Sequence, residues 1–163
     1  WFGDADRSRY LWTDPILNDR NVVISPKDVA FQYDGPRSLD GLTLIGVRGH
    51  RYMGVDSLVD QGSVQRTDVR AERNLVQFIA SGRGRVAIVA HSAAQFFVQD
   101  LGLLHAVHFA ETPHSEYQRY IMVSPDLAPV HQFLQGAVSR LMQSQAWADI
   151  AREYGLEADL VLQ

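Results

Sequence analysis

Short apolar runs alternate along the chain with stretches whose apolar residues recur at helical spacing. Val22-Val23-Ile24 is a β-branched run closed by Pro26, and it predicts a strand over residues 21–25. Leu42 to Val47 predicts a second strand. It feeds a loop with Gly49 and Gly54, after which residues 55–59 open a helix. Residues 64–66 predict a short strand. Residues 68–81 predict an amphipathic helix, with Val69, Leu75, Val76 and Ile79 on one face and Gly82 and Gly84 as its stop. The unbroken run Val86-Ala87-Ile88-Val89-Ala90 predicts a buried strand, followed by a helix over residues 92–99. Further strands are predicted at 106–109 and at 117–124, where polar and apolar residues alternate. Pro125-Asp126 opens a long helix through Met142, and a last helix covers 145–154 before Gly155. Residues 1–20 read as polar and turn-rich, and 26–41 as a connector. Strands separated by single helices predict an α/β fold with mostly parallel strands.

Length and composition narrow the classes. The chain has 163 residues, 46% hydrophobic and 21% charged, which suits one compact domain or two small lobes. No stretch reaches the roughly 18 apolar residues of a membrane-spanning helix. The net charge of −4 speaks against nucleic acid as the main partner. There is no cysteine, which excludes disulfide frameworks and thiolate zinc sites. Of the 15 basic residues only Lys27 is a lysine, so a basic group in a pocket is a planar, forked donor. The opening Trp1-Phe2-Gly3 carries no leader pattern, and a removed leader or a cut chain is expected.

The order of these features resembles the family 3 extracellular solute-binding proteins, which have the type II periplasmic-binding-protein fold. The resemblance rests on four stretches: Arg7 to Ile16, Ser38 to Gly49, Phe78 to Ala87, and Tyr117 to Ser124. The closing helices, with Phe133, Leu134, Leu141 and Ile150, match the family's end, whereas its beginning is missing. The resemblance implies two lobes with a ligand cleft between them. Residues 1–25 would end lobe 1 and cross the hinge, 26–116 would form lobe 2, and 117–163 would return and pack helices on lobe 1. Lobe 1 would be only partly present, with a dimer through its open edge as one way to complete it.

The resemblance also places candidate ligand contacts. Arg7 stands where the family grips a carboxylate, a task that suits a forked guanidinium. Arg9 is the alternative, because the spacing from Arg7 to Thr13 is one residue short. Thr13 and Tyr117 are further candidates. Arg48, His50 and Arg51 surround Gly49 between a strand and a helix, where backbone amides can cradle an anion. The family has small hydroxyl residues there. His91 and Ser92 end the 86–90 strand, where open α/β sheets bind ligands. Amino-acid receptors carry an Asp nearby for the ligand's ammonium, and none lies between Arg85 and Phe97. His91 is also suited to capping the next helix. Arg7, Arg51 and His91 together predict an electropositive cleft for a small carboxylate lacking an ammonium. Trp12, Trp147 and Phe133 are expected in the core, and His105 and His108, three apart, on one helical face.

These readings lead to a periplasmic solute-binding protein serving an ABC importer, with a membrane permease as partner, no cofactor, no metal and no catalysis. The alternatives are the sensing domain of a signalling receptor, an enzyme using His91, Glu111 or Glu116, or the effector domain of a LysR-like regulator. The sequence contains no Gly-x-Ser-x-Gly elbow, phosphate loop or zinc helix motif.

Overall fold

A computed structural model describes residues 7–161. The described residues fall into two units, one made of residues 7–19 and 117–161 and the other of residues 20–116. The elements are β1 (Leu11–Trp12), β2 (Leu17–Pro26), β3 (Thr43–Val47), α1 (Asp56–Asp60), β4 (Gln65–Val69), α2 (Glu72–Ala80), β5 (Val86–Ala90), α3 (His91–Asp100), β6 (Val107–Phe109), β7 (Ser115–Arg119), β8 (Met122–Val123), α4 (Ala128–Met142) and α5 (Gln145–Glu153). Among the described residues no helix is long and apolar enough to cross a membrane.

The main sheet has the order β4-β3-β5-β2-β6, with β7 also pairing β2. β3 runs parallel to β4 and to β5. β2 runs antiparallel to β5 and to β6, so the sheet is mixed rather than mostly parallel. A short apolar run is the same in either direction, and only the connections set the sense of pairing.

The three central strands are buried on both faces. Val22, Ile24, Ile45, Val47, Ala87 and Val89 pack into one core with α2 and α3. Their neighbours Val23, Leu44, Val86 and Ile88 pack into a second core with Leu39, Tyr52, Val55 and Leu58. The period-2 alternation of side chains therefore feeds two cores from one sheet, which explains continuous apolar runs in place of alternating ones. Gly84 marks how tightly the first core closes. A Cβ there would lie 2.5 Å from Ile45 Cγ1 and 3.1 Å from Ile79 Cδ1.

In the smaller unit β1 pairs antiparallel with β8, Leu11 opposite Val123. α4 is tied to β1 by His131, which donates from Nε2 to the Trp12 carbonyl at 2.8 Å, and by Gln135, which accepts from the Asp14 amide at 2.9 Å. The carboxylate of Asp19 is fully buried and takes two donors of Arg119, Nε and Nη2, each at 2.7 Å.

Several sequence expectations are corrected. Residues 68–69 end β4 in register with Gly46 and Val47, so α2 starts at Glu72 rather than Asp68. Residues 117–124 are two strands, because the chain leaves β7 at Tyr120 and pairs again with β1. Phe133 is not a core residue; it is 68% exposed, and Val130 and Leu141 are exposed on the same side of α4. Trp12 and Trp147 are half-buried. His108 lies in β6 and His105 in the turn before it, so they share no helical face.

Gly84→Ala is expected to cost about 1–3 kcal/mol, because the added methyl overpacks the first core. Gly136→Ala, inside α4 and against only the flexible Arg140 side chain, is expected to add up to about 1 kcal/mol. Urea denaturation of the two variants should show midpoints moving in opposite directions.

Candidate functional site

Parallel pairing brings the carboxyl ends of β3, β4 and β5 to one edge of the sheet in the larger unit. β2 runs the other way, and Asn21 stands opposite Ala90, so its Arg20 end lies at the same edge. Loops leaving such an edge carry ligand sites in open α/β folds. Here the edge holds Arg48, His50 and Arg51 after β3, His91 and Ser92 after β5, and Arg20.

The β3–α1 loop turns sharply. The His50 amide donates to the Val47 carbonyl at 3.0 Å, and Gly49 adopts φ +83° between them. A side chain at Gly49 would be strained in that conformation. The amides of Gly49 and Arg51 make no hydrogen bond with the described residues. Arg48 and Arg51 are exposed, and His50 is half-buried. Arg51 reaches Asp56 at 3.8 Å, but with its side chain 89% exposed this pairing is weak and leaves the cation in solvent.

His91 opens α3, whose N-terminus has no side-chain cap. The N-cap residue is Ala90, whose methyl offers no acceptor to the first turn. Arg20 Nη2 lies 3.4 Å from His91 Nε2. A guanidinium only donates, so this contact calls for an acceptor nitrogen on the imidazole. The ring rests edge-on against Phe109 at 6.1 Å.

A second histidine, His114, fixes the far end of the loop. Its Nε2 donates to the Met53 carbonyl at 3.0 Å. That leaves Nδ1 to accept from Ser115 Oγ at 3.2 Å, which itself accepts from Asn21 Nδ2 at 2.9 Å. The ring packs between Tyr33 and Tyr52, with centroids 6.0 and 6.4 Å away. Burial holds the imidazole below its usual 6.5, against the raising effects of the Met53 carbonyl and Asp56. Burial likewise raises the Tyr52 and Tyr33 phenols.

The remaining sequence candidates lie in the smaller unit. The Arg7 guanidinium lies 4.6 Å from the Tyr120 ring centroid and 5.5 Å from that of Trp12. Two aromatic faces thus hold an exposed cation in place without neutralising it. Trp12 Nε1 donates to the Arg7 carbonyl at 2.8 Å, which fixes the backbone as well. Thr13 is buried; its hydroxyl donates to the Asp14 carbonyl at 2.9 Å and accepts from the Ile121 amide at 3.1 Å, lacing the turn after β1 to β8. Tyr117 in β7 donates to Asp19 Oδ2 at 3.4 Å. Arg20 and His114 escaped the sequence reading: Arg20 sits in a stretch read as turns, and His114 carries no spacing signal.

No protein-family model matches the chain, and no curated protein matches it in sequence. Solved structures do match. A mutant of ArgBP from T. maritima is 15% identical, with TM-score 0.74, over 94% of this chain and 65% of that one. AbpA from Streptococcus pneumoniae, an amino acid ABC transporter substrate-binding protein bound to L-arginine, is 13% identical, with TM-score 0.73, over 98% of this chain and 66% of that one. The GluR0 ligand-binding core from Nostoc punctiforme, in complex with (L)-glutamate, is 9% identical, with TM-score 0.73, over 94% and 68%. The chain has the α/β fold of type II periplasmic binding proteins. It spans slightly less than two thirds of the first two structures.

The depressed His114 sets a pH dependence. The unfolded chain takes up a proton near 6.5 that the folded chain resists, so stability is full above that pH and falls as the pH drops through it. Thermal unfolding midpoints should therefore fall from pH 7 to pH 5, and by less in His114→Gln. Equal falls in both proteins would contradict this assignment.

Proposed function

We propose that the protein is an extracytoplasmic solute-binding protein that captures a small, carboxylate-bearing ligand for an ABC importer. The observation that carries this reading is the donor-rich edge of the larger unit. There Arg48, Arg51, the unengaged Gly49 and Arg51 amides and the N-terminal end of α3 gather where parallel strands end. Amide donors and fixed cations at such an edge favour a small anion. Arg7, held between Tyr120 and Trp12, is a second guanidinium suited to forking onto a carboxylate. On this reading His50, His91 and Ser92 line the ligand at this edge, and Thr13 and Tyr117 are candidates of the smaller unit.

The sequence offers no acidic residue where β5 meets α3; His91 stands there. An ammonium group finds no counter-charge at that point, which favours carboxylates without an amine. The fold neighbours, whose ligands are L-arginine and (L)-glutamate, support a ligand of amino-acid size. They also support a binding protein in place of an enzyme, a membrane permease as partner, and a periplasmic location. A sensing role is the second reading, favoured by the likeness to the GluR0 ligand-binding core.

A thermal-shift panel of succinate, other small dicarboxylates, L-glutamate and L-arginine tests the reading. A ligand at 100 times its dissociation constant adds about 2.7 kcal/mol of stability. Succinate or a related amine-free carboxylate is expected to raise the midpoint. Arg51→Ala is expected to remove about 1.5–3 kcal/mol of that binding, the worth of a charged hydrogen bond, with little change in the midpoint of the free protein, because its pairing with Asp56 is weak. A shift with L-arginine alone would overturn the ligand class, and no shift with any compound would overturn solute capture.

A further inference from the structure

We propose that Arg66 is a positioning residue of the ligand-binding loop, fixing from behind the backbone that carries the Gly49 and Arg51 amides. The proposal rests on the solute-binding reading above and adds to it a residue that touches no ligand. Arg66 lies in β4 opposite Leu44 of β3, and its side chain is only 16% exposed. Its guanidinium donates in four directions. Nη2 reaches the Val47 carbonyl at 3.2 Å and the His50 carbonyl at 2.9 Å. Nη1 reaches Asp56 Oδ1 at 3.1 Å, and Nε reaches Asp68 Oδ1 at 2.7 Å. The guanidinium carbon also lies 5.0 Å from the Tyr52 ring centroid.

The two carbonyls are the entrance and the middle of the turn. In a trans peptide the carbonyl and the following N–H point in opposite directions. Drawing the His50 carbonyl inward to Arg66 therefore turns the Arg51 N–H outward. The two carboxylates keep the guanidinium compensated and oriented. Asp56 in turn accepts the Tyr52 amide on Oδ2 at 3.2 Å, and the Tyr52 hydroxyl accepts the Val47 amide at 3.1 Å. Arg66, Asp56 and Tyr52 thus close a ring of bonds around the turn.

The sequence leaves room for this arrangement at one place. A Cβ on Gly46 would lie 2.9 Å from Asp68 Oδ1, 3.0 Å from Arg66 Nε and 3.2 Å from the Tyr52 ring. Glycine at that strand position lets three side chains converge where any other residue would push them apart. A lysine at position 66 cannot reproduce the geometry, because an ammonium lacks the planar fork that serves two carbonyls and two carboxylates at once.

Arg66→Lys and Arg66→Met test the proposal, and the first measurement needs no ligand. Amide hydrogen exchange by NMR should accelerate by about tenfold or more at His50 and Tyr52, while Ile24 and Ile88 in the central strands stay unchanged. Unchanged loop exchange would overturn the proposal, as would equal acceleration at Ile24 and Ile88, which would reveal a general loosening. Calorimetric titration with succinate is the second measurement. Affinity is expected to fall about tenfold in Arg66→Lys, which keeps the charge. Wild-type affinity with a loosened loop would overturn the positioning role. If the unmodified protein binds none of succinate, L-glutamate and L-arginine, the solute-binding reading fails instead. The exchange data then still decide whether Arg66 holds the loop.

Discussion

A sheet whose three central strands are buried on both faces sets the constraint from which the larger unit follows. β2, β3 and β5 each send alternate side chains into two separate cores. A register slip of one residue would exchange the two cores, and with them every shape match around Gly84. Register is therefore strongly specified, and so is the position of each strand's end. That precision matters at the carboxyl edge, where Val47, Val69 and Ala90 hand the chain to the segments that carry Arg48, Arg70 and His91. Binding groups on short loops are only as well placed as the strands beneath them.

Electrostatics at that edge follow from a division of labour among arginines. Arg66 is engaged by carboxylates and carbonyls within the fold. Arg48 and Arg51 remain exposed. Burial holds the His114 imidazole below its usual 6.5. The Gly49 and Arg51 amides, unengaged by the described residues, and the exposed Arg48 and Arg51 guanidinium groups make this edge a surface that donates hydrogen bonds.

Much of the fold was legible in the residues. The apolar runs of β2, β3 and β5 and the helical spacing of α2 follow directly from burial, and the type II periplasmic-binding-protein resemblance agrees with the fold neighbours. What escaped has physical reasons. Apolar runs carry no strand direction, so the antiparallel β2 was unreadable. Val69 satisfies a helical stripe as well as a strand end. Alternation in residues 117–124 persists while the pairing partner changes from β2 to β1. Phe133 carries the signature of a core residue but is exposed. At the site, Gly49, His50, Arg51 and His91 were visible from their place after strands. Arg66 and His114 were not, because their roles depend on carbonyl groups distant in sequence, Val47 and His50 for one and Met53 for the other.

The central claim is that the carboxyl edge of the larger unit's sheet binds a small anion. An NMR titration of the 15N-labelled protein with succinate tests it most directly. The account predicts saturable shifts concentrated at the amides of Gly49, Arg51, His91 and Ser92. Saturable shifts confined to residues away from this edge, such as the exposed side of α4, would contradict it.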